Sequence, residues 1–189
     1  MLKRKTNRLP HQKLYHTNNS FFVTICVKDM VCCLSDIDAD GKICDGKNDS
    51  GRINPSPTLL IVKQCWLGLI DTFNDVVLDE FVIMPNHFHG IITFLDEPTR
   101  AANGDKVDLS EIIRTFKAKT KKLINKNVGD GFILPHLSWQ KSFYDHIIRG
   151  EKDLQRIQEY IINNPIKWNQ DILHPKNKTK FQLWQQTQT

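Results

Sequence analysis

The sequence predicts an α+β protein in which one antiparallel sheet is covered by helices. Short runs of β-branched and aromatic residues alternate along the chain with segments of helical periodicity. The polar connections between these segments are too long for a tight β-meander, which favours helices packed on a sheet. A length of 189 residues is enough for a substantial core and indicates a single domain.

Composition and charge narrow the class of protein. Hydrophobic residues make up 40% and charged residues 25%, as in ordinary globular proteins, and the net charge of +5 permits a nucleic-acid partner without requiring one. No apolar run approaches the roughly 20 residues of a membrane span. The basic N-terminus also lacks the apolar segment of a secretory signal. We therefore expect a cytoplasmic protein without a membrane partner.

The cysteines do not form a recognisable framework. There are five of them, an odd number, and no two have Cys-x-x-Cys spacing. This argues against both a set of disulfides and a thiolate zinc site. We expect them to be reduced and to contribute to packing.

Three strands are predicted from aromatic and β-branched runs, at 21–27, 76–84 and 87–95. The mixed segment 139–148 is compatible with a final strand. Pro85-Asn86 separates the second strand from the third, and proline lacks the backbone donor that a central ladder requires. A turn or an edge bulge is therefore expected there.

Three helices are predicted, at 58–73, at 109–125 and from Gly150 to Asn163-Asn164. Asp108 is the expected N-cap of the second helix, with Glu111 completing a capping box, and Pro165 ends the third. The stripes expected to be buried are Leu59, Leu60, Lys63, Trp66, Leu67 and Ile70; Leu109, Ile112, Ile113, Phe116, Leu123 and Ile124; and Leu154, Ile157 and Ile161. The polar segment beyond Trp168 is expected to be peripheral.

The acidic segment 33–57 is predicted to be a loop that contains a short hairpin around Lys42-Ile-Cys44. Within it, Asp36-x-Asp38-x-Asp40-Gly41 looks like the start of a calcium-binding loop. Such a loop needs a bidentate glutamate at its twelfth position, and that position here is Lys47. A cation in place of the closing carboxylate excludes this reading.

His87 and His89 form a His-x-His pair, a pattern that also arises from a core histidine beside a surface one. Residues two apart on a strand lie on the same face, and two imidazoles side by side suit a divalent metal but leave it short of ligands. Tyr160 and Asn164, four apart, share one helical face, where the amide could add an oxygen ligand and the phenol could attack a phosphodiester. The alternative is a tyrosine packed against the sheet, with Asn164 as a C-cap.

Three ordered motifs extend this pattern: Met84-Pro-Asn-His-Phe-His-Gly-Ile-Ile92, the segment from Trp139 to Arg149, and the segment from Tyr160 to Trp168. Together they resemble the REP-associated tyrosine transposases, which belong to the single-tyrosine HUH transposases of the small, IS200-like insertion sequences. The similarity continues through 7–10, 21–26 and 113–117, so that it covers about residues 7–168 of a single domain spanning 1–189.

The resemblance implies a ferredoxin-like antiparallel sheet flanked by helices. It also implies that His87, His89 and Asn164 bind Mg²⁺ or Mn²⁺. Tyr160 matches the nucleophile that forms a 5′-phosphotyrosine link to single-stranded hairpin DNA and leaves a free 3′-hydroxyl. Whether the protein is a homodimer or a monomer is left open by this resemblance.

Six residues are candidates for DNA contact: Arg8, Arg114, Lys117, Lys121, Tyr144 and Arg149. The basic side chains are expected to touch the phosphate backbone, which positions DNA rather than specifying its sequence. The alternatives are solvated surface for the basic residues, both in the N-terminal arm and on the second helix, and core packing for Tyr144. Tyr144 is also a rival nucleophile, but it has no partner like Asn164 one turn away.

Two other functions compete with strand transfer. One is a domesticated protein that binds repeated DNA hairpins without cutting them, although all four expected site positions are intact. The other is an unrelated His-x-His metallohydrolase. Such a site draws further acidic or histidine ligands from nearby, and Asp96 is the one acid close in sequence.

Overall fold

The computed structural model describes residues 19–44, 57–95, 107–126 and 136–177. Within them lies one four-stranded antiparallel sheet in the order β2-β3-β1-β4. The strands are β1 (Ser20–Cys26), β2 (Val76–Ile83), β3 (His87–Phe94) and β4 (Tyr144–Ile148). The helices are α1 (Pro57–Leu67), α2 (Leu109–Lys126) and α3 (Glu151–Asn163). Short 3₁₀ turns follow β1 at Lys28–Met30 and follow α3 at Trp168–Gln170 and Pro175–Asn177. The α+β class predicted from the sequence is confirmed.

Strand register decides which side chains share a face of the sheet. Thr24 in β1 lies opposite His89 in β3 and opposite Tyr144 in β4, and Cys26 lies opposite His87. Paired residues point to the same side of a sheet. The two histidines therefore share one face with Thr24 and Tyr144.

The opposite face carries the main hydrophobic core, which α1 and α2 cover. At its centre the ring of Trp66 from α1 lies 4.5 Å from that of Phe88 and 5.5 Å from that of Phe116 in α2. Gly90 lies beneath this cluster, and a Cβ atom there would come within 2.6 Å of the Trp66 ring. The close approach of α1 to the sheet thus depends on a residue without a side chain.

The histidine-bearing face is covered by α3. Ile157 and Ile161 are buried there against Val82, Ile91 and Ile148. Leu154, the third residue of the predicted stripe, is only partly buried. This smaller cluster positions the end of α3 over the start of β3.

The first helix differs from its prediction. It ends at Leu67 and is followed by turns, rather than continuing to 73. Four residues of the predicted stripe are exposed: Leu60, Lys63, Leu67 and Ile70. The face that packs on the core carries Leu59, Val62, Trp66 and Leu69 instead. Two neighbouring faces of this helix are both apolar. Periodicity alone therefore did not distinguish the buried face from the exposed one.

The second helix begins as expected, since the Asp108 carboxylate accepts the backbone N–H of Glu111 over 2.8 Å. The Glu111 carboxylate pairs with Arg114. The second hydrogen bond of a capping box, from the Asp108 backbone N–H to Glu111, is therefore not seen among the described contacts. Leu123 is exposed rather than buried.

The hairpin predicted within 33–57 is present. Ile37 and Ile43 form an antiparallel bridge, and Gly41 adopts a φ of 75° in the turn between them. The Asp38 carboxylate accepts the backbone N–H groups of Asp40 and Lys42, which is turn chemistry. Residues 45–56 of this segment lie outside the described ranges.

The expectation of a peripheral segment beyond Trp168 is wrong for residues 169–177. Leu173 and His174 are buried, and the Leu173 carbonyl accepts a hydrogen bond from the Asn86 side chain over 2.8 Å. Polar contacts hold this segment in place. Such contacts produce no hydrophobic periodicity, so the sequence pattern did not reveal them. None of the helices among the described residues is both long and apolar enough to cross a membrane.

A candidate metal and tyrosine site on the sheet

His87 is fully buried at the start of β3. Its Nδ1 lies 2.8 Å from the side-chain oxygen of Asn86, while the Asn86 amide nitrogen donates to the carbonyls of Leu173 and Met30. Because an amide oxygen only accepts, Nδ1 of His87 is the donor and carries the ring proton. The lone pair is thereby left on Nε2, where among the described residues it has no hydrogen-bond partner.

His89 is also buried and is held from both sides. Its Nδ1 lies 2.8 Å from Thr24 Oγ1, and its ring stacks on Phe22 with centroids 5.1 Å apart. Its Nε2 faces the Tyr160 hydroxyl, 3.4 Å away. A β-branched threonine thus orients this ring across the β1–β3 pairing.

Burial keeps both imidazoles neutral. Desolvation lowers the pKa of His87 well below its usual value, and nearby His89 lowers it further. Desolvation alone lowers the pKa of His89 to about 3. Neutral imidazole is the form that binds a metal ion, so both rings are ready to ligate at neutral pH.

Tyr160 and Asn164 arrive from the last turns of α3, as their spacing predicts. The Tyr160 side chain is partly exposed, with its ring edge against Phe22 at 5.9 Å between centroids. Burial first, and then the negative charge of Asp171, raises the pKa of Tyr160 to about 12, although a hydrogen bond with Asn164 acts in the opposite direction. The phenol is therefore protonated at neutral pH.

Asn164 is buried at the C-cap position of α3. Its backbone N–H donates to the Ile161 carbonyl over 3.3 Å, as a capping residue does. Its side-chain oxygen is also buried, and no hydrogen-bond partner for it is found in the described part of the chain. Backbone capping and a side chain available to the site therefore coexist in this residue.

Asp171 is the site residue that the sequence reasoning missed. One of its carboxylate oxygens lies 3.8 Å from His87 Nε2, and ligand atoms of His87, His89 and Asp171 all lie within 4.8 Å of one another. Asp171 follows a 3₁₀ turn in a polar segment, so no periodic signal marks it. Burial raises the pKa of its carboxyl, whereas hydrogen bonds from the Leu173 backbone and the Asn164 side chain, together with the nearby His174, lower it.

The predicted DNA-contact residues are dispersed. Arg114, Lys117 and Lys121 belong to α2, which covers the sheet face away from the histidines. The Lys117 amine donates to the carbonyls of Gln140 and Ser142 at 2.8 and 2.9 Å, so it has a structural task there. Arg114 pairs with Glu111, and Arg149 is exposed beyond β4.

Tyr144 is half-buried on β4 and shares the histidine-bearing face. His146, two residues further on, lies 3.1 Å from the Asp153 carboxylate. Arg8 lies outside the described residues. The structure thus brings His87, His89, Tyr160 and Asn164 together, and the roles predicted for the DNA-contact residues remain predictions.

The fold is an α+β domain in which a histidine pair on the central strand β3 adjoins a tyrosine on the covering helix α3. The chain belongs to the family described as "Transposase IS200 like", whose sequence model matches residues 63–164, just over half of the protein. The family expected from the sequence motifs is confirmed.

Two individual relatives extend this similarity. A protein of Haemophilus influenzae described as uncharacterized is 35% identical over 184 residues, which span 90% of this chain and 93% of the relative. A solved structure of a REP-associated tyrosine transposase bound to a REP hairpin superposes with a TM-score of 0.53 at 19% identity. That superposition covers 85% of this chain and 74% of the other, and it shows a shared fold.

Proposed function

We propose that this protein is a DNA endonuclease and strand transferase that cleaves single-stranded hairpin DNA through a 5′-phosphotyrosine intermediate. The observation that carries the proposal is the placement of the Tyr160 hydroxyl 3.4 Å from His89 Nε2, beside the buried ligand atoms of His87 and Asn164. Tyr160 is the nucleophile, and His87, His89 and Asn164 hold a divalent ion, Mg²⁺ or Mn²⁺. Membership of a transposase family supports this chemistry.

The residues present fit such an ion. His87 Nε2 and Asn164 Oδ1 are buried acceptors without a hydrogen-bond partner among the described residues. Leaving such an atom unsatisfied costs about 1–3 kcal/mol, a cost that a bound cation removes. An amide oxygen suits magnesium or manganese, and a neutral imidazole nitrogen is a common ligand of divalent metals.

The chain's own groups account for the covalent step. The Tyr160 oxygen attacks phosphorus, a bond forms between them, and the bond from phosphorus to the 3′ oxygen breaks. The phenolic proton passes to solvent, to which Tyr160 is 47% exposed, and the departing 3′ oxygen takes up a proton to become a hydroxyl. When bound, the divalent ion would polarise a phosphoryl oxygen and stabilise the charge that develops on the departing oxygen.

The choice of hairpin DNA as substrate has separate support. The fold is shared with a transposase whose structure is described as bound to a REP hairpin. The net charge of +5 suits a polyanionic partner. Tyr144 shares the histidine-bearing face, and a tyrosine ring there supports stacking of a base.

The test uses hairpin oligonucleotides taken from inverted repeats near the gene, with single-stranded flanks and a different fluorophore at each end. With Mn²⁺, the label on the 3′ side should migrate covalently with the protein in a denaturing gel, while the 5′-labelled fragment is released with a free 3′-hydroxyl. Tyr160→Phe should abolish both products, and Tyr144→Phe, the matched control, should retain them.

Retention of cleavage by Tyr160→Phe together with its loss in Tyr144→Phe would show that the nucleophile is misassigned. Hairpin binding of equal affinity with Mn²⁺ and with EDTA, without an adduct under any metal, would instead indicate a non-cleaving hairpin binder.

A further inference from the structure

We propose that Asp171 is an additional protein ligand of the divalent ion, supplying an anionic oxygen beside His87, His89 and Asn164. This inference rests on the metal site of the proposed function. It adds a residue that lies outside the histidine strand and outside the tyrosine helix.

The first argument is the character of the atoms that face one another. Asn86 keeps the ring proton of His87 on Nδ1, so Nε2 presents a lone pair towards Asp171. The carboxylate oxygen lies 3.8 Å from that nitrogen, beyond hydrogen-bond distance. Ligand atoms of His87, His89 and Asp171 all lie within 4.8 Å of one another. The Asn164 side chain hydrogen-bonds the Asp171 carboxylate and so links the two residues. Two neutral imidazoles and a carboxylate that converge in this way are suited to a cation.

The second argument is that Asp171 is held in place by contacts that do not involve the ion. One carboxylate oxygen accepts the backbone N–H of Leu173, which leaves the other towards His87. The Asp171 carbonyl accepts a hydrogen bond from the side-chain amide of Asn177 over 2.8 Å. The rings of Trp168 and His174, which precede and follow Asp171 in the chain, pack against each other with centroids 4.5 Å apart. The carboxylate is therefore prepositioned.

The third argument is a link between Asp171 and the histidine strand. The buried Asn86 side chain accepts from His87 through its oxygen and donates to the Leu173 carbonyl through its nitrogen. One residue thus positions both a histidine ligand and the segment that carries Asp171. If the segment that carries Asp171 contacted the site only incidentally, we would not expect a buried residue to link it to His87.

The chemical consequence concerns charge. Two imidazoles and an amide oxygen form a neutral ligand set, and a carboxylate makes it anionic. Magnesium and manganese prefer hard anionic oxygens, and the affinity of such sites increases with the number of charged ligands. We expect Asp171 to determine much of the affinity of the site in the absence of DNA.

The test is isothermal titration of the full-length protein with MnCl₂ in the absence of DNA. Asp171→Asn keeps the oxygen that accepts from Leu173 but removes the charge, and it should weaken Mn²⁺ binding at least about tenfold. Asp40→Asn removes the same charge from an exposed residue of the hairpin and should bind like the wild type. His87→Ala serves as the variant that lacks a ligand of the proposed function.

A second variant tests ligation directly. Asp171→Cys places a soft thiolate at the same position, and its ratio of Cd²⁺ to Mn²⁺ affinity should increase relative to that of the wild type. A general electrostatic or structural role for Asp171 would not produce that change in metal preference.

The outcomes separate this inference from the proposed function. If Asp171→Asn binds Mn²⁺ within about twofold of the wild type while His87→Ala does not, Asp171 is not a ligand and the proposed cleavage is unaffected. If the wild type binds neither Mn²⁺ nor Mg²⁺, the metal site and this inference both fall. Normal metal binding that depends on Asp171, without any DNA adduct, would support the inference and contradict the proposed function.

Discussion

The side-chain oxygen of Asn86 accepts a hydrogen bond from Nδ1 of His87 over 2.8 Å, and this contact determines which ring nitrogen of His87 faces the site. The same amide donates to the Leu173 carbonyl. Outer contacts of this kind fix the tautomer and the orientation of a metal-binding histidine. Asn86 is fully buried, so solvent cannot replace what it supplies.

We expect Asn86→Ala to weaken Mn²⁺ binding about 10- to 100-fold, because His87 loses its preferred tautomer. The free energy of unfolding should fall by about 1–3 kcal/mol, since buried partners of the amide are left unpaired. Titration calorimetry and urea denaturation measure the two effects. Asn163→Ala, which removes an amide that donates to the Glu159 carbonyl, is the control and should leave metal affinity unchanged. Loss of stability with unchanged Mn²⁺ affinity would contradict the orienting role.

Thr24 should act on His89 as Asn86 acts on His87. Thr24→Val keeps the branched shape but removes the oxygen that lies 2.8 Å from His89 Nδ1. Mn²⁺ binding should weaken about tenfold. The nitrogen NMR shifts of His89 should change from one tautomer to a mixture.

The matched control for this change is Thr93→Val on the same sheet. It removes a hydroxyl that contacts Ser20 over 2.8 Å, away from either histidine. It should preserve metal affinity. Equal losses of affinity in the two valine variants would mean that Thr24 acts through general sheet stability rather than through His89.

The start of α3 predicts a dependence of stability on pH. Hydrogen bonds from Arg156 first, then from the Arg149 backbone N–H and from His146, hold the pKa of Asp153 well below its usual range. A carboxyl with a lowered folded-state pKa stabilises the fold above its unfolded pKa of about 3.9, and this stabilisation is lost as the pH falls below that value. Asp153→Asn should therefore destabilise the fold at pH 7, by no more than about 1 kcal/mol because solvent screens a charge so near the surface.

Urea denaturation followed by circular dichroism at several pH values measures this cost. The gap between the wild type and Asp153→Asn should narrow progressively below about pH 5. Glu151→Gln removes the same charge from the same turn, without the contacts to Arg149, Arg156 and His146, and should change stability little at any pH. A gap that stays constant down to pH 2 would refute the linkage.

Part of the site could be read from the sequence because the relevant relationships are local. Strand alternation puts His87 and His89 on one face, and the helical period puts Tyr160 and Asn164 on another, whatever the rest of the chain does. The failures arose where local patterns were ambiguous or absent. The apolar residues of α1 occupy two neighbouring faces, and residues 169–177 are held by polar contacts with no period.

The sequence by itself therefore determined the elements, the α+β class and the two pairs of site residues, because backbone geometry links spacing to direction within an element. Only the tertiary structure decided that α3 covers the histidine-bearing face while the basic helix α2 covers the other. It also brought Asp171 within 3.8 Å of His87 and placed Asn86 between that histidine and Leu173. Such contacts depend on how segments that are distant in the sequence pack together, and the spacing of residues along the chain does not predict that packing.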